Sequence, residues 1–192
     1  MSGGGFHVHG PHDHELEHAA QHEPKGLAGQ LAVITAILAT VGAMFAYMGG
    51  ATQAHAGLYK NDAAIKKTEA ANKWNYFQAK SSKQNLAELA LELAPTDEQK
   101  AKYKAKIERY EKEKNDIKAE AEALEKESQE WDHKSEQQLH QHHRWAQATT
   151  ALQVAIALAA IALLTRKRWL EFGTIGVGGL GVLIGIAAWF HY

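Results

Sequence analysis

From Thr96 to Leu164 the chain contains neither glycine nor proline. Proline removes an amide donor and glycine adds backbone freedom that folding must suppress. A long stretch lacking both, and rich in Ala, Glu, Lys, Gln and Leu, is predicted to form one unbroken helix. Within it, apolar or seam-compatible residues alternate at spacings of four and three: Tyr103, Ile107, Tyr110, Lys114, Ile117, Ala121, Leu124, Ser128 and Trp131. The series continues through Ser135, Gln138, His142, Trp145, Thr149, Leu152, Ile156, Ala159 and Leu163. A mean spacing of about 3.5 keeps these positions on one face and favours a left-handed supercoil. At about 1.5 Å per residue the helix is roughly 100 Å long, about three times a bilayer's hydrocarbon core. Its first two-thirds are charged, and from about Trp145 it is almost wholly apolar. One helix is therefore expected to leave water and enter lipid without a break.

The segment before it, Ala51 to Ala94, is polar and made mostly of helix formers. Pro95 ends it, because proline biases its predecessor away from helix. Thr96 is placed as an N-cap with Gln99 three residues on, and Asp97 and Glu98 fall where the helix dipole favours anions. Two arms of nearly equal length around 95–96 predict an antiparallel, coiled-coil-like helical hairpin over 49–144. Folding at Pro95 sets Ile65 opposite Leu124, Leu58 opposite Trp131, Trp74 opposite Ile117 and Leu86 opposite Tyr103. It also sets Phe77 near Tyr110 and Lys114. Glu98–Lys102, Glu108–Lys112, Glu122–Lys126 and Glu130–Lys134 are i,i+4 pairs worth about 0.3 kcal/mol each on a solvated face. Lys114, Ser128, Ser135, Gln138 and His142 interrupt the seam. Packing this thin predicts that several copies associate.

Three apolar stretches, 27–48, 145–164 and 170–190, are long enough to cross a bilayer, so the fold class is an all-α integral membrane protein with three transmembrane helices. The first has alanines on a face that a neighbouring helix can approach closely, and Gly49-Gly50 after it is a candidate kink. The third is rich in glycine. Gly181 and Gly185 form a small-xxx-small pair that serves packing against the other spans or a subunit interface. Trp145, Trp169, Trp189 and Tyr192 are placed at span ends, where amphipathic rings favour the headgroup level. The basic loop 165–169 predicts a cytoplasmic location for itself and for the N-terminus, with the hairpin and C-terminus on the other side. Residues 1–26, with six of the chain's 12 histidines, read as a disordered tail, either a metal-collecting arm or a solvated tail whose histidines need no fixed ligand.

A net charge of -1 provides no basic face for nucleic acid. The absence of cysteine removes disulfides and thiolate metal sites. There is no phosphate-binding glycine loop, HExxH, GxSxG or EF-hand loop, so no enzymatic activity is expected. No ionisable residue lies at mid-depth in a span, where transporters and proton relays use one. Gln153 is the deepest polar residue of its span, and bonding to a neighbouring helix accounts for it. His55, His140 and His143 fall near one end of the spans, and His140 and His143 share a helix face. They are candidates for a transition-metal site or a pH switch, or are simply interfacial histidines.

The run Lys73-Trp74-Asn75-Tyr76-Phe77-Gln78-Ala79-Lys80 lies between a span and a charged helical region. Together with the Thr165–Trp169 loop and the His-rich start, it resembles an uncharacterised bacterial family catalogued as a domain of unknown function, number 4337. The resemblance covers nearly the whole chain and implies a bacterial inner-membrane protein with no assigned activity, so it transfers no catalytic residue. The residues expected to carry structure or interaction are Trp74, Phe77, Gln78, Lys80, Ile117, Trp131, Gly181 and Gly185. Two functions are open at this point. One is a non-enzymatic homo-oligomeric scaffold or accessory protein, in contact with lipid and with a protein partner through the hairpin. The other is a metal- or pH-responsive channel or transport accessory that uses its histidines.

Overall fold

A computed structural model describes residues 26–190, all of the regular structure being helical: α1 (Leu27–Glu92), α2 (Asp97–Thr165) and α3 (Arg168–Trp189). The histidines before residue 26, and His191 and Tyr192, lie outside the described residues. No proline interrupts any of the three helices, which lets α1 and α2 run to 66 and 69 residues. Helix assignment continues through Gly49-Gly50, so the candidate kink does not break α1. The backbone bond from Thr52 to Met48 is doubled there by the Thr52 hydroxyl, which donates to the Met48 and Gly49 carbonyls at 3.0 and 2.9 Å.

The ends follow from local chemistry. At the end of α1 the amide of Leu93 still reaches Leu89, and that of Ala94 tightens to Leu91. Pro95 then stops the ladder. Thr96 Oγ1 accepts from the amide of Gln99 at 3.3 Å, as its capping position predicts, and Asp97 and Glu98 occupy the first turn. Only Arg166 and Lys167 separate α2 from α3, so Arg168 and Trp169 belong to the first turn of α3 rather than to a loop. Arg166 takes the reversal with φ 52, a left-handed conformation in a non-glycine residue.

The described residues divide into two compact units, residues 26–53 with 139–190, and residues 54–138. In the first, three apolar helical segments pack together. Leu31, Ala159, Ala162 and Leu170 form one buried cluster, and Leu38, Leu152 and Ala155 form a second, with Phe45, Val177 and Val182 against it. α3 meets its neighbours through glycine. A Cβ at Gly178 or Gly181 would stand 3.0 Å from Leu38 or Leu152, and one at Gly185 would overlap the Phe45 ring. Of the two roles open to Gly181 and Gly185, packing within the chain is thus the one the contacts display. All three helices are long and apolar enough to cross a membrane.

The second unit is a pair of charged helical segments. Lys60 pairs with Asp132, Lys66 with Glu127, Lys73 with Glu120 and Lys80 with Glu113. As the number on α1 rises, its partner on α2 falls by the same step to within one residue, so the two segments run in opposite directions. Buried between them are Ala56, Ala63, Ala70 and Ala87 from α1, and Ile117, Ala121, Ser128 and Ser135 from α2. Every residue of the α2 series from Tyr103 to Gln138 is buried or half-buried, as its periodicity predicts.

The α1 side of that match requires correction. Leu58, Ile65 and Leu86 were set against α2, yet they are 62%, 47% and 66% exposed. Alanines at a seven-residue spacing take the contact instead. With a methyl group at each position the backbones approach closely, and the serines find partners: Ser128 Oγ donates to the Ala63 carbonyl at 2.9 Å, and Ser135 Oγ to the Ala56 carbonyl at 2.8 Å. A leucine in those places would hold the helices apart and leave the hydroxyls buried without acceptors.

Candidate functional site

The sequence run from Lys73 to Lys80 supplies the densest set of specific contacts in the charged helix pair. At helical spacing, Trp74 and Phe77 lie one turn apart, and so do Phe77 and Lys80, while Tyr76 and Lys80 are i,i+4. Trp74 and Phe77 meet edge to face with ring centroids 5.6 Å apart, the geometry that the ring quadrupole favours. The indole of Trp74 donates to Glu125 Oε1 at 2.8 Å. Lys114 of α2 stands 5.7 Å over the Phe77 ring, as the predicted register requires.

Lys80 is held hardest. Its side chain is 13% exposed and its ammonium lies 2.5 Å from Glu113 Oε2. The same ammonium stands 5.1 Å above the Tyr76 ring and 5.6 Å from the Tyr110 ring. A charge so enclosed needs an anion and aromatic faces around it. The hydrogen bond to Glu113, then that to Tyr76, raises the Lys80 pKa, and the hydrogen bond from Lys80 holds the Glu113 carboxyl below its ordinary range. Glu111 is lowered in the same way by Lys114 and then by Gln84. Gln78 stays outside this cluster: its side chain is exposed, and only its backbone carbonyl is used, accepting from Ser82 at 3.1 Å.

Further along, Trp131 is half-buried, 5.5 Å from the ring of Tyr59, with Lys134 at 4.1 Å over its face. An open groove of about 580 Å³ is lined by Ala63, Ala64, Ala70, Ala71 and Trp74, together with Glu125 and Asp132. Sequence reasoning found Trp74, Phe77, Lys80, Ile117 and Trp131, but missed Glu113 and Glu125 as partners. The Ala56, Ala63, Ala70 repeat is the sequence signal for the face that meets α2, and the larger apolar Leu58 and Ile65 compete with it.

The histidines are dispersed in their contacts. His55 is exposed and stacks on Tyr59 at 6.3 Å. His140 and His143 are exposed, and the His143 ring lies 5.7 Å from that of His142. His142 Nδ1 is 2.8 Å from the Gly49 carbonyl. A carbonyl only accepts, so this nitrogen carries the proton. Among the described residues no group of three or more His, Cys, Asp or Glu is placed to hold a metal ion.

In the apolar unit the largest fully buried side chain is Trp145, 1% exposed. Phe45 lies 5.2 Å away and Trp189 meets it edge-on at 6.4 Å. The Trp145 ring lies inside the helix cluster, where Gly49 leaves room for it: a Cβ there would stand 3.3 Å from Trp145 Cβ. Trp169 and Trp189 are 66% and 61% exposed.

A model of one protein family matches residues 27–191, and its description is Domain of unknown function (DUF4337). No curated protein and no solved structure matches the chain.

Proposed function

Since the chain belongs to that family, which brings no activity with it, we propose from its own residues that it is a non-enzymatic, homo-oligomeric scaffold or accessory protein of the bacterial inner membrane. Its three spans would anchor a helical hairpin of roughly 70 Å at 1.5 Å per residue, and the hairpin would be the surface offered to other molecules. The observation that carries this reading is the change of surface within single helices. In the most apolar windows of α1, α2 and α3 only 17%, 28% and 28% of residues are buried. Val33, Ile37, Met44, Leu180 and Leu183 are all more than half exposed. An apolar surface that continuous aggregates in water and is satisfied by lipid. The same α1 and α2 go on into 54–138, where exposed positions are mainly charged or polar.

Arg166, Lys167 and Arg168 in a short connection support a cytoplasmic loop, and with three crossings the hairpin lies in the periplasm. The cluster around Lys80 supports a rigid arm rather than a reaction centre, because Lys80 is spent on Glu113 and Trp74 on Glu125 across the helix pair, and Glu111 on Lys114 within α2. The test uses the absence of cysteine. Single cysteines at Lys118 and Lys167 in whole cells are treated with a membrane-impermeant maleimide. Labelling of Lys118→Cys but not of Lys167→Cys supports the reading, and extraction of the protein from membranes by alkaline carbonate overturns it. The mass of the native detergent-extracted complex reports the copy number.

A further inference from the structure

The face of α1 turned away from α2 carries a second seven-residue repeat. Leu58, Ile65, Asn72, Ala79 and Leu86 follow one another at that spacing, with Leu93 one residue past the end of α1 continuing it, and a parallel row three residues on runs from Asn61 through Asn75 to Leu89. Every position of both rows is exposed, Leu86 at 66% and Leu93 at 73%. None of them is charged. Charged residues make up 22% of the chain, and all those on α1 between Lys60 and Glu92 fall off this strip. A solvated helix face has no reason to exclude charge over five heptads, whereas a coiled-coil seam has one.

We propose that this strip is the contact between two copies of the chain, paired in parallel and in register through α1. The inference rests on the homo-oligomeric membrane reading above. Copies anchored in one membrane by the same topology project the same way, so a parallel contact sets each strip residue against itself. The flanks permit it: Asp62 would face Gly57, Glu69 would face Ala64 and Lys83 would face Gln78 of the second copy, so no like charges oppose. Small residues at 57, 64 and 71 let the helices come close. Asn72, at an a-type position, bonds its own counterpart in a parallel pair, which specifies register and a two-stranded state. The larger aliphatic side chains of this helix region, left outside by the alanine seam with α2, thereby find cover.

The full-length chain with single cysteines, in native membranes under mild oxidation, tests the strip. Ile65→Cys and Leu86→Cys are expected to form disulfide-linked dimers roughly tenfold more efficiently than Lys60→Cys and Lys67→Cys, which lie on another face, since a-type positions face their counterparts in a parallel pair. Self-linking at both Ile65 and Leu86 requires a parallel pair, because an antiparallel one brings at most one of them against itself. Equal linking at strip and control positions overturns the proposal. So does absence of linking at the strip while the native mass still reports an oligomer; the strip then belongs to another protein or the copies meet elsewhere. A monomeric native mass instead overturns the homo-oligomeric reading itself.

Discussion

The two units solve helix packing with small residues in opposite ways. In the apolar unit the small residue is glycine, and the neighbour is large: Gly178 receives Leu38, Gly181 receives Leu152 and Gly185 receives the Phe45 ring. In the charged unit the small residue is alanine, and the neighbour is a serine that bonds the backbone itself. The first arrangement is knob into notch, held by van der Waals contact. The second is backbone beside backbone, held by hydrogen bonds and edged by ion pairs. Where there is no hydrophobic drive between helices, shape must supply the contact energy. Where water competes for each polar group, directed bonds at a dry seam keep the register.

That contrast can be broken most forcefully at Gly185. Gly185→Leu drives a side chain into a ring already fixed against Trp145 and is expected to cost about 3 kcal/mol, the upper range for overpacking. A Cβ at Gly179 meets nothing within 4 Å, and Gly179→Leu is expected to change little. Thermal unfolding in detergent, followed by loss of the monodisperse peak, compares the two. Equal effects would mean that notch packing is not what holds the unit.

In the charged unit, Ser128→Ala removes one cross-helix bond without altering the close approach, at an expected cost of about 1 kcal/mol. Ser128→Val is expected to cost more, because its added bulk also meets the Ala63 backbone. Hydrogen exchange across residues 54–138 reads both, and a Val variant milder than Ala would count against backbone-to-backbone contact. A smaller effect is expected at the α2–α3 reversal. Arg166→Gly removes the steric cost of a left-handed residue and is expected to stabilise by up to about 1 kcal/mol. The midpoint of chemical unfolding checks it.

The smallest effect is that of pH on the Lys80–Glu113 pair. The lowered pKa of Glu113 means that its contribution is present above the ordinary glutamate value and fades as pH falls through the lowered one. The raised pKa of Lys80 means that its contribution is present below the ordinary lysine value and fades as pH rises through the raised one. The melting temperature of the charged unit should therefore be flat between the two ranges and fall at both ends. Lys80→Met should lower the plateau and flatten those ends. An unchanged profile would remove the ion pair from the account. No corresponding dependence is expected of the apolar unit's packing.

Much of this was readable beforehand because it depends on local chemistry. The three helices, the break at Pro95, the Thr96 cap and the half-buried α2 seam all follow from periodicity and backbone preference. Phe77 near Lys114 followed from counting back from the turn. The contact face of α1 did not, since two rows of heptads compete there: one of alanines, Ala56, Ala63 and Ala70, and one headed by Leu58 and Ile65. A rule that buries the most apolar row selects the wrong one.

The residue order alone determines the number of helices, their length, their ends and the change from charged to apolar surface, because each of these is settled within a few turns of backbone. Which row of α1 meets α2, that Trp145 is enclosed, and that Glu113 and Glu125 rather than water satisfy Lys80 and Trp74 were decided only in three dimensions. Close approach of two backbones depends on what the opposite helix presents at the same level, and a serine seeking a carbonyl can outweigh a leucine seeking cover.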